Sequence, residues 1–215
     1  MNIMINIGVL ASGSGTDFQS IIDGVESGLI DGEIKLLITN NPEAYCIERA
    51  KKHDIDFKII DHRDKTRKEH EKMVSEEIEK YDLDLIVLAG YMRMLTDYFV
   101  DKYYGKMINI HPALLPLFGG EGMYGDNVHK AVLESGMKRS GCSVHFVTNE
   151  VDLGPIIDQR CVPVKPDDDI DTLSSRVLEK EHELLPEVVK AFSEGRVELK
   201  DEEAFIIPPE KDNNK

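Results

Sequence analysis

The feature that most constrains this chain is a rhythm in which short apolar runs rich in β-branched residues alternate with helical patterns. The runs stand at about 3–10, 34–39, 56–60, 84–89 and 106–110, and helical spacing of apolar residues fills 17–28, 42–53, 64–80 and 96–103. A strand, a helix and a second strand in succession form a right-handed crossover and a parallel pair. The first half therefore predicts an α/β fold: a Rossmann-like open twisted sheet, mostly parallel, with helices on both faces. The rhythm changes after a glycine-containing loop at 117–125. A short helix near 126–135 precedes two strand-like runs, "CSVHFVT" and "PIIDQRCVPV", joined by "NEVDLG". Strands this close in sequence pair antiparallel, because a parallel pair needs a long crossover. A last helix is expected over 169–194, and "IIPPEKDNNK" reads as a frayed tail. No repeat and no linker rich in Gly, Ser or Pro divides the chain, so one domain over 1–200 and a partly flexible tail over 201–215 are expected.

Charge narrows the partners. With 26 Lys and Arg against 41 Asp and Glu, the formal charge is −15, which argues against a general nucleic-acid surface. An anionic ligand must then be held by a local device, a helix N-terminus or one placed arginine. The three cysteines, Cys46, Cys142 and Cys161, form no CxxC pair, and the histidines have no ligand spacing. Neither a metal site nor a disulfide framework is expected, and a reducing cytoplasmic setting is the simplest reading. The opening "MNIMINIGVLASGSG" is too briefly apolar for a membrane span and reads as a first strand.

The loop in "GVLASGSGTDFQSII" lies between the first strand and the first helix. Gly13 and Gly15 let the backbone turn tightly there, and the helix dipole adds partial positive charge. Hydroxyls at Ser12, Ser14 and Thr16 suit a phosphate. The full GxGxxG pattern is missing, since Phe18 stands three residues after Gly15, and "LLITNN" ends the second strand in amides rather than an acid. The plainer alternative is a helix capped by Thr16 or Asp17. Asp17 would also set a negative charge beside any bound anion.

In "KMINIHPALLP", Asn109 and His111 are two apart on a strand and share a face, with Ile108 and Ile110 on the other. Ligands of open α/β sheets bind outside the carboxyl ends of the strands, where this pair lies. Each residue alone could merely shape a turn before Pro112. Asp152, in "TNEVDLGPI", is by itself a turn aspartate. Folded back over the fifth strand, it would meet His111 and favour the protonated ring. An imidazolium beside an amide donor makes a hole for a developing oxyanion, which suits acyl transfer to a neutral amine. No GxSxG elbow or Cys–His pair points to a covalent route. His145, alternating with Val144 and Phe146, reads as structural.

The segments "LASGSGTDFQSIID", "LIVLAGYMRML", "MINIHPALLP", "GCSVHFVTNEVDLGPII" and "RVLEKEHELLP" occur in this order. Together, over about residues 3–195, the chain resembles the phosphoribosylglycinamide formyltransferases, folate-dependent transformylases of purine synthesis. The resemblance implies a catalytic trio at Asn109, His111 and Asp152. It implies a ribonucleotide site at Ser14, Gly15, Thr16 and Asp17, with Glu181 gripping the same substrate. It further implies a folate pocket walled by Met92, Arg93, Met94 and Leu95, approached by Arg67 and covered by Thr148, Asn149, Glu150 and Val151. Read without it, "YMRML" is a helix entry, Glu181 one more charge on an amphipathic helix, and Arg67 a solvated face.

The chain departs from the pattern twice. Asp17 stands where the family usually has asparagine, and Gly119–Gly120 replaces Pro-Gly in a loop a few residues longer than usual. The longer loop could reshape the mouth of the folate pocket and admit another one-carbon carrier, such as a methanopterin. The expected donor is 10-formyltetrahydrofolate, and the expected partners are small molecules, with no nucleic acid, membrane or metal. A homodimer through an exposed sheet edge is allowed but not specified. Related deformylases carry an added N-terminal domain, and methionyl-tRNA formyltransferases a C-terminal one. Neither is visible here, which favours the small-molecule acceptor.

Overall fold

The computed structural model describes residues 4–209. Position 3 of the first expected strand and positions 210–215 of the expected tail lie outside the described residues. The first half is built of β1 (Ile5–Leu10), α1 (Thr16–Glu26), β2 (Gly32–Thr39), α2 (Cys46–Lys52), β3 (Phe57–Ile59), α3 (Arg67–Ile78) and β4 (Leu85–Leu88). There follow α4 (Asp97–Lys102), β5 (Met107–His111), α5 (Asp126–Ser135), β6 (Arg139–Phe146), β7 (Ile156–Pro163) and α6 (Ile170–Ser193). A hairpin, β8 (Val197–Lys200) and β9 (Glu203–Ile206), comes last.

The seven main strands form one sheet in the order β3-β2-β1-β4-β5-β6-β7. The first five are parallel in that order, while β5 with β6 and β6 with β7 are antiparallel. The chain builds outward from β1 through β2 to β3, then returns to place β4 on the other side of β1. That reversal opens a crevice at the carboxyl ends of β1 and β4, the point where ligands bind in open α/β sheets. There Ser12 N–H donates to the Gly90 carbonyl at 3.1 Å.

The period of two along each strand divides the core between the faces. Ile7, Val9, Leu37, Val87, Ile108 and Ile110 face one side, packed with Phe18 and Ile21 of α1 and Leu184 and Val188 of α6. Leu10, Leu36, Ile38, Ile86, Leu88 and Met107 face the other, against Val74 and Ile78 of α3 and Phe99 and Val100 of α4. Asn109 and His111 therefore emerge on the Met107 side, opposite Ile108 and Ile110. Capping sets two helix starts. Thr66 and Glu69 form a reciprocal capping box at α3, so this helix begins later than the expected position 64. Asp169 and Thr172 do the same at α6.

The hairpin corrects the reading of the C-terminal stretch. Residues 203–206, expected as tail, pair antiparallel with 197–200. Val197, Leu199, Ala204 and Ile206 pack on the larger core cluster, while Glu198, Lys200 and Glu203 stay outside. Its turn places Asp201 at φ 50° and Glu202 at φ 64°. Two positive φ values are what a tight two-residue hairpin needs, but Asp-Glu lacks the usual Asn-Gly signature.

Leu184 is fully buried between α6 and the sheet. Leu184→Ala should lower stability by about 3 kcal/mol, the ordinary cost of a large-to-small core change, read as a lower midpoint in urea unfolding at unchanged m-value.

Candidate active site

The trio sits where β5 meets the 147–155 turn. Leu88 of β4 pairs with Asn109, and on the other side Asn109 pairs with His145 and His111 with Ser143 of β6. The turn after β6 then folds back, with Asp152 at a positive φ of 57°, a conformation aspartate tolerates better than most residues. Its Oδ2 lies 3.5 Å from His111 Nδ1, and the two side chains are 10% and 5% exposed. The carboxylate also accepts the Gly120 N–H at 3.0 Å.

Both ring nitrogens of His111 face acceptors. Nε2 lies 2.8 Å from the Phe118 carbonyl oxygen, which can only accept, so Nε2 carries hydrogen. Nδ1 faces the Asp152 carboxylate at ion-pair distance. The ring thus sits between a carbonyl that takes its Nε2 hydrogen and a carboxylate facing Nδ1. Gly119 lets the 118–120 loop come this close: a Cβ there would stand 2.9 Å from Asp152 Cβ and 2.7 Å from Leu115 Cδ2.

His145, read from sequence as structural, belongs to the constellation. Its Nδ1 donates to the Phe146 carbonyl at 2.9 Å, and burial holds its proton affinity below the usual histidine range. The neutral ring thus presents a lone pair at Nε2, which accepts from Asn109 Nδ2 at 3.1 Å. That contact orients the Asn109 amide and leaves its second N–H free. The gap from His145 Nε2 to Asp152 Oδ1, 3.7 Å, is too long for a hydrogen bond. The opposite pairing of Asn109 and His145 is the signal that could have revealed this residue.

The first loop lies beside the crevice. Gly15 is the N-cap of α1 in the left-handed region, φ 68°, and a Cβ there would meet Cys46 Cβ at 2.6 Å. No side chain among the described residues caps this helix, which sets aside Thr16 or Asp17 as a capping residue. The first N–H groups of α1 are left for an incoming acceptor. Arg49, which the sequence reading did not single out, lies along the loop: its Nε donates to the Ser14 carbonyl at 2.9 Å and its Nη1 to Gln19 Oε1 at 2.9 Å. Asp17, in the first turn, stands by Glu181 and His182 of α6, with Asp17 Oδ1 3.7 Å from His182 Nε2. Burial pushes the Asp17 carboxyl up to about 6, and burial with the neighbouring Asp17 charge drives Glu181 well above the carboxylate range.

The "YMRML" segment lies past β4 as an irregular stretch ahead of α4. Met92 and Met94 are exposed, Arg93 is half-buried, and Leu95 packs on the second core cluster. Met92 N–H donates to Ser12 Oγ at 2.8 Å, and Ser12 Oγ–H donates to Asn40 Oδ1 at 2.5 Å. One buried hydroxyl thus ties the first loop to this wall. In the turn after β6, Thr148 Oγ1 donates to the Glu150 carbonyl at 3.2 Å and Asn149 Nδ2 to Asp101 Oδ1 of α4 at 3.0 Å. Glu150 and Val151 are exposed. Arg67 opens α3, exposed and without a hydrogen bond or ion pair among the described residues, so no contact draws it to the rest.

An α/β sheet with amide, imidazole and carboxylate gathered at its carboxyl edge, beside an uncapped helix N-terminus, defines a small-molecule site. The formyl transferase family profile matches residues 5–189, and the chain belongs to that family. It is 39% identical over 204 residues to the phosphoribosylglycinamide formyltransferase of Haemophilus influenzae, covering 94% of each chain. It is 40% identical over 196 residues to the trifunctional purine biosynthetic protein adenosine-3 of Gallus gallus, but spans only 19% of that longer protein. Among solved structures, glycinamide ribonucleotide transformylase 1 from Symbiobacterium toebii superposes with a TM-score of 0.89 at 39% identity, with 95% of each chain covered.

The hydrogen-bond pattern requires His145 to be neutral with hydrogen on Nδ1. Nitrogen NMR of the ring should show that tautomer persisting down to pH 6; an imidazolium signal there would remove the basis for the Asn109 orientation.

Proposed function

We propose that this chain transfers a formyl group from 10-formyltetrahydrofolate to the amino group of 5′-phosphoribosylglycinamide, as a single unit over 1–200 acting in the cytoplasm. The observation that carries the reading is the meeting of His111, Asp152 and an oriented Asn109 amide at the carboxyl edge of β5. The names of the full-length relatives support the choice of substrates. No described helix is long and apolar enough to cross a membrane.

The neutral amine attacks the formyl carbon, and negative charge gathers on the formyl oxygen. The second N–H of Asn109 and the protonated His111 ring, its Nε2 exchanging the Phe118 carbonyl for the formyl oxygen, stabilise that charge. Asp152 sits at ion-pair distance from the ring and supports its charge. The amine must lose a proton and the carrier nitrogen must gain one; the His111–Asp152 pair is the acid–base group in reach. The ribonucleotide phosphate docks on the first N–H groups of α1 along Ser14, Gly15 and Thr16, with the Arg49 cation lying along the loop. Glu181 serves the same substrate from α6. The carrier lies along Met92, Arg93, Met94 and Leu95 under the 148–151 turn, with Arg67 near its acidic end. A methanopterin in place of the folate is the alternative carrier that the longer loop raises.

Asp152→Asn keeps the shape but removes the charge. It should lower kcat by about 10²- to 10⁴-fold while leaving the Kd for the ribonucleotide within a few-fold, as measured by steady-state kinetics and calorimetry. Following donor loss with and without acceptor separates the readings. Loss only with glycinamide ribonucleotide supports transfer, loss without it means hydrolysis of the donor, and no loss means a binding protein.

A further inference from the structure

One group beside the proposed phosphate loop has no partner that explains it. Asp17 lies in the first turn of α1, where the helix N-terminus would receive the phosphate, yet its Oδ1 is shut off from solvent without a hydrogen bond among the described residues. His182 Nε2, 3.7 Å away, is likewise buried and unbonded. Glu181 is only 7% exposed and makes no hydrogen bond or ion pair among the described residues. The groups around Asp17 are thus Glu181 and His182 from α6 and Cys142 from β6. Arg49 of α2 and Asp23 of α1 act on His182, and Arg160 of β7 acts on Cys142. Burial and Arg49 hold His182 below the usual histidine range, so it offers Asp17 no full positive charge near neutral pH.

A phosphate dianion in this loop would therefore share the first turn of α1 with an ionised carboxylate whose Oδ1 no hydrogen bond among the described residues stabilises. Like charges in a buried site do not coexist when a proton can remove one of them. Resting on the ribonucleotide reading above, we propose that Asp17 takes up a proton from solvent as the phosphate binds. The neutral acid then donates a hydrogen bond where the anion would repel. Asp17 thereby makes capture of this substrate pH-dependent, a property of binding rather than of the chemical step.

The sign follows from the free enzyme. With the Asp17 carboxyl pushed up to about 6, it is mostly ionised at pH 7, and a neighbouring phosphate raises its proton affinity further. Binding should then weaken as pH rises above that value, by about tenfold per pH unit at most.

Calorimetry of the full chain with glycinamide ribonucleotide, at pH 7 in two buffers of different ionisation heat, counts the protons exchanged. The wild type should take up ~1 proton more than Asp17→Asn, whereas Glu181→Gln should keep most of that excess. Between pH 6.5 and 7.5 the KM for the ribonucleotide should rise about tenfold more in the wild type than in Asp17→Asn, with the kcat profiles parallel. Equal proton counts in wild type and Asp17→Asn would overturn the proposal, as would loss of the excess in Glu181→Gln alone. Absence of binding heat in the wild type would instead overturn the ribonucleotide reading on which it rests.

Discussion

The pairing of β5 with β6 is the constraint on which the rest of the site depends. A parallel sheet would carry its next strand away through a helix and bring it back pointing the same way. Here the antiparallel return sets His145 directly across from Asn109 and starts the following turn beside Met107, from where it folds back to bring Asp152 to His111. Once that register is set, a one-residue slip would send Asn109 and His111 into the face that holds Ile108 and Ile110. The polar and apolar alternation of "MINIH" therefore protects the chemistry and the core together.

A second constraint is the reversal of strand order at β1 and β4. It sets the 11–16 loop and the 89–95 segment side by side, and the hydroxyl of Ser12 joins them by accepting from Met92 and donating to Asn40. In the proposed reaction the two substrates would lie on either side of this single buried side chain. Tight backbone positions bring the walls together: Gly15 lets α1 approach Cys46, and Gly119 lets the 118–120 loop touch Asp152.

What the sequence disclosed follows from which interactions are local. Alternation of two along the strands and helical spacing between them are local, and they yielded the order of elements and the shared face of Asn109 and His111. The meeting of Asp152 with His111 needs a fold-back of the chain, which the residues alone left as a condition and the five ordered segments supported. His145 was missed because its meaning lies in its cross-strand neighbour, and alone it looks like any residue of a buried strand. Arg49 was missed because it acts by lying over a loop thirty-odd positions earlier. The C-terminal hairpin escaped because its turn, Asp201–Glu202, uses residues that seldom adopt positive φ.

The contact between His111 Nε2 and the Phe118 carbonyl carries a consequence of its own. The His111 ring already grips an amide oxygen, the same kind of atom a formyl group would bring in the proposed reaction. On the proposed reaction, admission of the donor would be a swap of one carbonyl for another at this ring. A backbone segment that impersonates the reactant keeps the imidazole aimed and dry between cycles.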